Sequence, residues 1–215
     1  MAALRSVPDR KVPLRVPLPE PHIAGNVSVE EALRARRSVR EFSREGLTLV
    51  ELAQLLWAAQ GVTDPQGFRT VPSAGALYPL EIYLVAGNVA ALDPGVYRYD
   101  PRQNELHMAA GGGDRRASLA DAALRQNWIA AAPVILVIAA AYQRSATKYG
   151  ARAQRYVPIE AGHAAQAVAL QVASLRLATV DVGAFEDAAV KRAVALPEGE
   201  EPLLILPVGR PLRYR

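Results

Sequence analysis

The chain has 215 residues, with 25 Lys and Arg against 21 Asp and Glu, three His, no Cys, and 51% hydrophobic content. That length and apolar share suit one substantial core better than two small ones. Without cysteine there is no disulfide, no thiolate metal site and no cysteine nucleophile, so any redox chemistry has to come from a bound cofactor.

The formal charge of +4 is a mild excess spread along the sequence, as expected of a solvated basic surface. Nucleic-acid binders usually gather such charge on one face, so nucleic-acid or non-enzymatic flavin binding stands as a minor alternative. No run of about 18 apolar residues occurs; the longest apolar stretch, Ile129 to Ala141, is shorter and is broken by Pro133. The N-terminus lacks an apolar signal core, and the expected setting is the cytoplasm, away from membranes.

Residues 1–25 are rich in proline and read as an extended arm that needs another surface, such as a partner subunit, to become ordered. Residues 26–215 read as a single domain. A helix should begin near Ser28, where Glu30 and Glu31 suit its positive end, and deliver the chain to Arg36. Thr48 with Glu51 forms a capping-box pattern ahead of Leu52, Leu55, Leu56 and Ala59, and Gly61 is placed to stop that helix. Leu80 to Ala86 reads as a strand, and Val96 to Tyr99 with Glu105 to Met108 as a hairpin. A helix is expected over Ala117 to Gln126, and a flexible loop over Gly111 to Gly113 precedes it. The apolar run from Pro133 to Ala140 fits a central strand. Pro158 to Leu177 is the longest helix candidate, with Pro158 in its first turn. Strands at Thr179 to Val182 and Leu203 to Val208 bracket a last helix from Glu186 to Ala195.

The densest chemical feature is Arg36, Arg37, Ser38 and Arg40 at a helix end. Guanidinium forks and a hydroxyl suit a phosphate, although a basic helix C-terminus is also favoured by the helix dipole alone. Pro72, Ser73, Ala74 and Gly75 open a segment of small residues that allows close backbone approach to a flat ligand; Val182, Gly183, Ala184 and Phe185 offer the same later in the chain. Arg210 and Arg213 add cations after the last strand. His163 and Gln166 lie three apart on the long helix and suit a buried or interfacial role better than catalysis. Three histidines without ligand spacing argue against a metal site.

Taken together, RRSVREF at Arg36 to Phe42, PSAGALYPLEIYLV at Pro72 to Val85 and GVYRYDP at Gly95 to Pro101 resemble the nitroreductase superfamily. KYGARAQRYVPIEAGHAAQ at Lys148 to Gln166, VGAF at Val182 to Phe185 and PVGRP at Pro207 to Pro211 extend the likeness, which is to the SagB/ThcOx-like dehydrogenase branch. The resemblance implies an α+β nitroreductase fold, a central mainly antiparallel sheet flanked by helices, in an intertwined homodimer with FMN held between subunits. It places Arg36, Ser38 and Arg40, with Arg37 alongside, at the flavin phosphate and pyrimidine, and Pro72 to Gly75 over the flavin from the other subunit. It also implies backbone donors at Gly183 and Ala184, a polar contact from Gln126, and phosphate contacts from Arg210 and Arg213. Lys148 and Tyr149 match a pair used for proton transfer by azoline dehydrogenases of the branch, while Ala167 stands where relatives often have asparagine. The implied activity is ping-pong hydride transfer through flavin N5, driven by NAD(P)H toward nitroaromatics or quinones, or alternatively dehydrogenation of azolines in a ribosomal peptide.

Overall fold

The computed structural model describes residues 15–110 and 112–213. Its centre is a seven-stranded sheet formed by β1 (Arg15–Pro17), β2 (Leu80–Ala86), β3 (Gly95–Asp100), β4 (Glu105–Ala110), β5 (Val134–Ala140), β6 (Ala178–Thr179) and β7 (Glu201–Gly209). The spatial order is β1-β4-β3-β2-β5-β7-β6, and every ladder between these strands is antiparallel. β2 and β5 are buried along their whole length, in keeping with their continuous apolar sequence.

The two-residue period of a strand sorts those side chains into two cores. Leu80, Ile82 and Leu84 of β2, with Val134, Leu136 and Ile138 of β5, meet helices α2 (Leu49–Gln60) and α5 (Ala153–Ser174). Tyr83, Val85, Ile135 and Val137 point the other way, toward α3 (Arg116–Ala122) and α6 (Asp187–Val194). Small residues let α5 lie close to the sheet, since Ala161, Ala164, Ala165 and Val168 are all buried.

Helix α1 (Val29–Ala35) and α2 start as their caps direct. Glu31 N–H donates to Ser28 Oγ at 3.1 Å and Ser28 N–H to Glu31 Oε2 at 2.8 Å; Glu51 N–H and Thr48 Oγ1 (3.2 Å) with Thr48 N–H and Glu51 Oε2 (2.8 Å) repeat the arrangement. Gly61 ends α2, its N–H donating to the Trp57 carbonyl.

Several boundaries differ from the sequence reading. Helix α5 begins at Ala153, so Pro158 lies inside it and not in its first turn. A preceding helix, α4 (Tyr142–Tyr149), and a 3-10 turn at Gly150–Arg152 occupy the stretch before it. The helix expected to reach Gln126 stops at Ala122, because Leu124 and Arg125 adopt positive φ, and a 3-10 turn at Asn127–Ala131 follows. The strand expected over Thr179 to Val182 is split: β6 holds Ala178 and Thr179, while Val182 bonds separately to Ile205.

Within the described part of the arm, β1 pairs with β4 and Asn104 Nδ2 holds the Leu18 and Pro19 carbonyls. Gln54 then brackets His22, accepting from its N–H at 2.9 Å and donating to its carbonyl at 3.1 Å. The surface taken by residues 15–22 is therefore their own sheet edge and α2; residues 1–14 and Gly111 lie outside the described residues. Among the described residues no helix is long and apolar enough to cross a membrane.

Candidate functional site

The arginine segment leaves α1 at Arg36, whose φ of −53° and ψ of 123° turn the chain out of the helix. It then runs beside β6, with Val39 N–H donating to the Thr179 carbonyl at 2.9 Å, and past the end of β7, with Ser43 N–H donating to the Arg210 carbonyl at 2.9 Å. This path lays Arg36, Ser38 and Arg40 along a cleft of about 1000 Å³, to which Arg176 and Arg213 add charge and Ala173 of α5 an apolar side. Arg37 also lines the cleft, but its Nη1 turns back to the Arg34 and Arg36 carbonyls at 3.0 and 2.7 Å, satisfying the end of α1. The Arg40 guanidinium stands 5.8 Å from the Trp128 ring centre. Asp181 faces this corner: burial pushes its carboxyl above the usual range and the Arg36 charge partly opposes that.

Gly183 and Ala184 are exposed just after Val182, and Gln126 Nε2 reaches that loop, donating to the Ala123 carbonyl at 2.9 Å and the Ala184 carbonyl at 3.2 Å. Arg213 stands at the cleft, whereas Arg210 is bound to Glu51 at 2.9 Å and to Glu45 by a second ion pair. The charge of Arg210 is thus met by two carboxylates, Glu45 ahead of α2 and Glu51 in its first turn.

Pro72 to Gly75 form a different locus. A 3-10 turn covers Ala74–Ala76, with Gly75 at φ 63°, a conformation that costs any other L-residue about 1–2 kcal/mol. Ser73 Oγ accepts the Tyr78 N–H at 2.9 Å, and Ala74 N–H donates to Glu160 Oε1 at 2.8 Å. Glu160 is a buried carboxylate on α5 that nothing in the sequence reading singled out. Lys148 and Tyr149 meet the same turn: a Cβ on Gly75 would stand 2.8 Å from Tyr149 Oη and 3.0 Å from Lys148 Nζ. Tyr149 is itself braced edge-to-face by Tyr156, with ring centres 5.1 Å apart.

In one chain these two groups do not share a cavity: neither the turn nor the Lys148–Tyr149 pair lines the arginine cleft. Helix α5 sets their spacing, since Glu160 and Ala173 are separated along it by about 20 Å at the usual helical rise. His163 and Gln166 share the outer face of α5 and both are exposed, so of the two roles expected for His163, buried or interfacial, burial within one chain is not seen. The inner stripe of α5 runs through Glu160, Ala161, Ala164 and Ala165, and His163 falls outside it. Ala167 is half-buried and packs on the core.

The sequence profile of the nitroreductase family matches residues 33–210, most of the chain and both loci. The chain belongs to the nitroreductase family. It is 48% identical over 184 residues, 86% of this chain and 91% of the other, to a Methanocaldococcus jannaschii protein carrying a provisional nitroreductase name. Among solved structures it is similar to a provisionally named nitroreductase of Ralstonia eutropha, with TM-score 0.82 and 29% identity over 94% of this chain and 91% of that one. It shares the fold, at TM-score 0.62 and 22% identity over 86% of this chain and 69% of the other, with the NADPH:FMN oxidoreductase of Vibrio harveyi. This nitroreductase-family chain is accordingly an oxidoreductase, flavin-dependent by family.

The residues present fit such a cofactor. Forked cations and a hydroxyl are the donor set a phosphate requires, and the cleft lies at the upper end of the roughly 300–1000 Å³ typical of small-molecule sites. Gly183 and Ala184, steadied by Gln126, are exposed but do not line the cleft itself; the nearest link is Asp181, which feels the charge of Arg36.

Proposed function

We propose that the chain is an FMN-dependent reductase that takes electrons from NAD(P)H and delivers them to nitroaromatics or quinones in two separate half-reactions. The observation that carries this reading is the cleft bearing Arg36, Ser38, Arg40 and Arg213. When bound, FMN supplies the two-electron chemistry through hydride transfer at N5. Arg36, Ser38 and Arg40 bind its phosphate and pyrimidine side, and their fixed positive charge favours the anionic reduced form. Arg213 adds charge at the rim, while Gly183 and Ala184 offer backbone donors.

We further propose a homodimer, because it can bring the two loci together. A second copy supplies what α5 keeps about 20 Å away in one chain, so that Ser73 to Gly75, Lys148 and Tyr149 of one subunit cover the cleft of the other. The exposed apolar Leu33, on α1 beside the arginines, supports an interface on that side. The expected setting of the assembly is the cytoplasm.

The deciding experiment is the anaerobic absorbance spectrum of the purified protein before and after NADPH. The expected result is a flavin band that NADPH bleaches and a quinone restores. Absence of any flavin band after reconstitution with FMN overturns the reading. Arg36→Gln removes a charged donor and should weaken FMN binding about 10- to 100-fold, the equivalent of roughly 1.5–3 kcal/mol.

A second reading, dehydrogenation of azolines in a peptide, is favoured by one observation: Lys148 Nζ and Tyr149 Oη both stand at the Gly75 turn. Either group could accept the proton that accompanies hydride removal from the ring. Lys148→Met should then abolish azole formation on a cyclised peptide while NADPH–quinone turnover persists. Failure of the wild-type protein to form azoles with FMN bound excludes this reading.

A further inference from the structure

A second polar pocket adjoins Tyr78, just after the Gly75 turn, through Arg69 and Arg144. β2 and β3 pair only from Tyr83↔Arg98 to Ala86↔Gly95. Beyond that point β2 stays with β5 as far as Leu80↔Ala140, and β3 stays with β4 as far as Asp100↔Glu105. The strands therefore part, and the opening forms a pocket of about 220 Å³ whose polar walls are Gln60, Arg69, Glu81, Arg98, Arg102 and Arg144.

The charges in this slot do not balance. Glu81 is buried and both of its oxygens are taken, Oε2 by Arg98 Nε at 2.9 Å and Oε1 by Arg144 Nη2 at 2.7 Å. Asp100, the other lining acid, accepts from the Arg102 and Gln103 N–H groups at 2.9 and 3.2 Å. Four guanidiniums thus face two carboxylates that already have partners. Burial lowers the pKa of Arg69; the nearby Glu81 and Tyr78 oppose that shift, and Arg144 and Arg102 add to it more weakly. Arg69 is fixed by Gln60 Oε1 at 2.8 Å and by the Tyr78 ring, 4.4 Å from its guanidinium. Among the described residues, the Arg102 guanidinium has no hydrogen-bonded partner, and Arg98 commits only Nε. Arg69 is half-buried while Arg98, Arg102 and Arg144 are open to solvent, and several cations on one pocket with spare forked donors form a usual setting for an oxyanion.

We propose that this slot binds a phosphate-type dianion, the monoester group of a phosphorylated substrate or of a dinucleotide, at a site separate from the arginine cleft. No residue lines both. The slot adjoins the turn that carries the second locus: Arg144 donates to the Tyr78 carbonyl, and Tyr78 N–H is held by Ser73 Oγ. Arg144 and Lys148 are also one helical turn apart on the same face of α4. An anion held by Arg102 and Arg98 on the wall shared with Arg144 anchors a ligand one helical turn of α4 from Lys148.

The test is calorimetric titration of the FMN-loaded protein with inorganic phosphate, pyrophosphate and 2′,5′-ADP at constant ionic strength. Saturable binding weakened about 10-fold by Arg102→Gln, and by Arg98→Gln, is expected. Arg192→Gln, an exposed change on α6, should leave it unaltered. Tighter binding of 2′,5′-ADP than of phosphate assigns the group to a dinucleotide; equal binding assigns it to a phosphorylated substrate. No saturable binding, or affinity untouched by Arg102→Gln, overturns the proposal. The flavin band is read in the same samples, so failure of the flavin reading is separately visible.

Discussion

Glu160 offers a test of how the Gly75 turn is held. Its carboxylate is buried and accepts the Ala74 N–H at 2.8 Å, a bond between residues 86 apart in sequence. Glu160→Gln keeps the volume and one carbonyl acceptor but loses the charge assistance, a difference of about 1 kcal/mol. For a domain of this size that lowers the melting midpoint by roughly 2–4 °C. The discriminating background is Ala74→Pro, which deletes the donor; Ser73, at φ −132° and ψ 135°, already has the conformation a following proline requires. With no N–H to meet, the buried carboxylate becomes a liability, and Glu160→Gln should then cost nothing or raise the midpoint. Thermal or urea unfolding of wild type, both single variants and the double variant at fixed FMN gives the coupling energy. Equal losses in the two backgrounds refute the idea that Glu160 acts through the Ala74 amide.

Other expectations follow from the caps and charges. Thr48→Ala removes the acceptor of the Glu51 N–H and should cost about 1 kcal/mol in urea unfolding. Hydrogen bonds from Arg116 hold the Asp114 carboxyl below its ordinary pKa. Its stabilisation is therefore present above the unfolded-state pKa and lost as pH falls through the folded one, so Asp114→Asn should flatten the midpoint–pH curve on the acid side only.

Elements with strong local signals were legible in the sequence. The Thr48–Glu51 capping box, Gly61 as a stop and the strand Leu80–Ala86 all stand where pattern placed them, because cap chemistry and apolar runs are local. Helix α4 carried no such signal: its N-cap is Ala141 with no side-chain bond, and its sequence YQRSATKY is polar. Missing α4 also hid the start of α5 and made Pro158 look like a first-turn residue. In the candidate site, the arginine segment was readable as a cluster, but the salt bridges of Arg210 depend on Glu45 and Glu51, far away in the chain. Glu160 and Glu81 were overlooked because an acid inside an apolar stretch reads as solvent-facing until its partner is known. For Glu160 a signal existed, since it falls between Val157 and Ala161 on the inner stripe of α5.

The two outermost strands bear on how copies of this protein can meet. β6 has two residues and its outer side is met by the Ser38–Val39 segment, while the described part of β1 includes Pro17, which has no amide hydrogen to offer a neighbour. A covered border and a proline-bearing one resist the strand-to-strand annealing through which sheets grow into aggregates. The proposed dimer is thereby left to the helical faces, where α1 and its exposed Leu33 sit beside the arginine cleft.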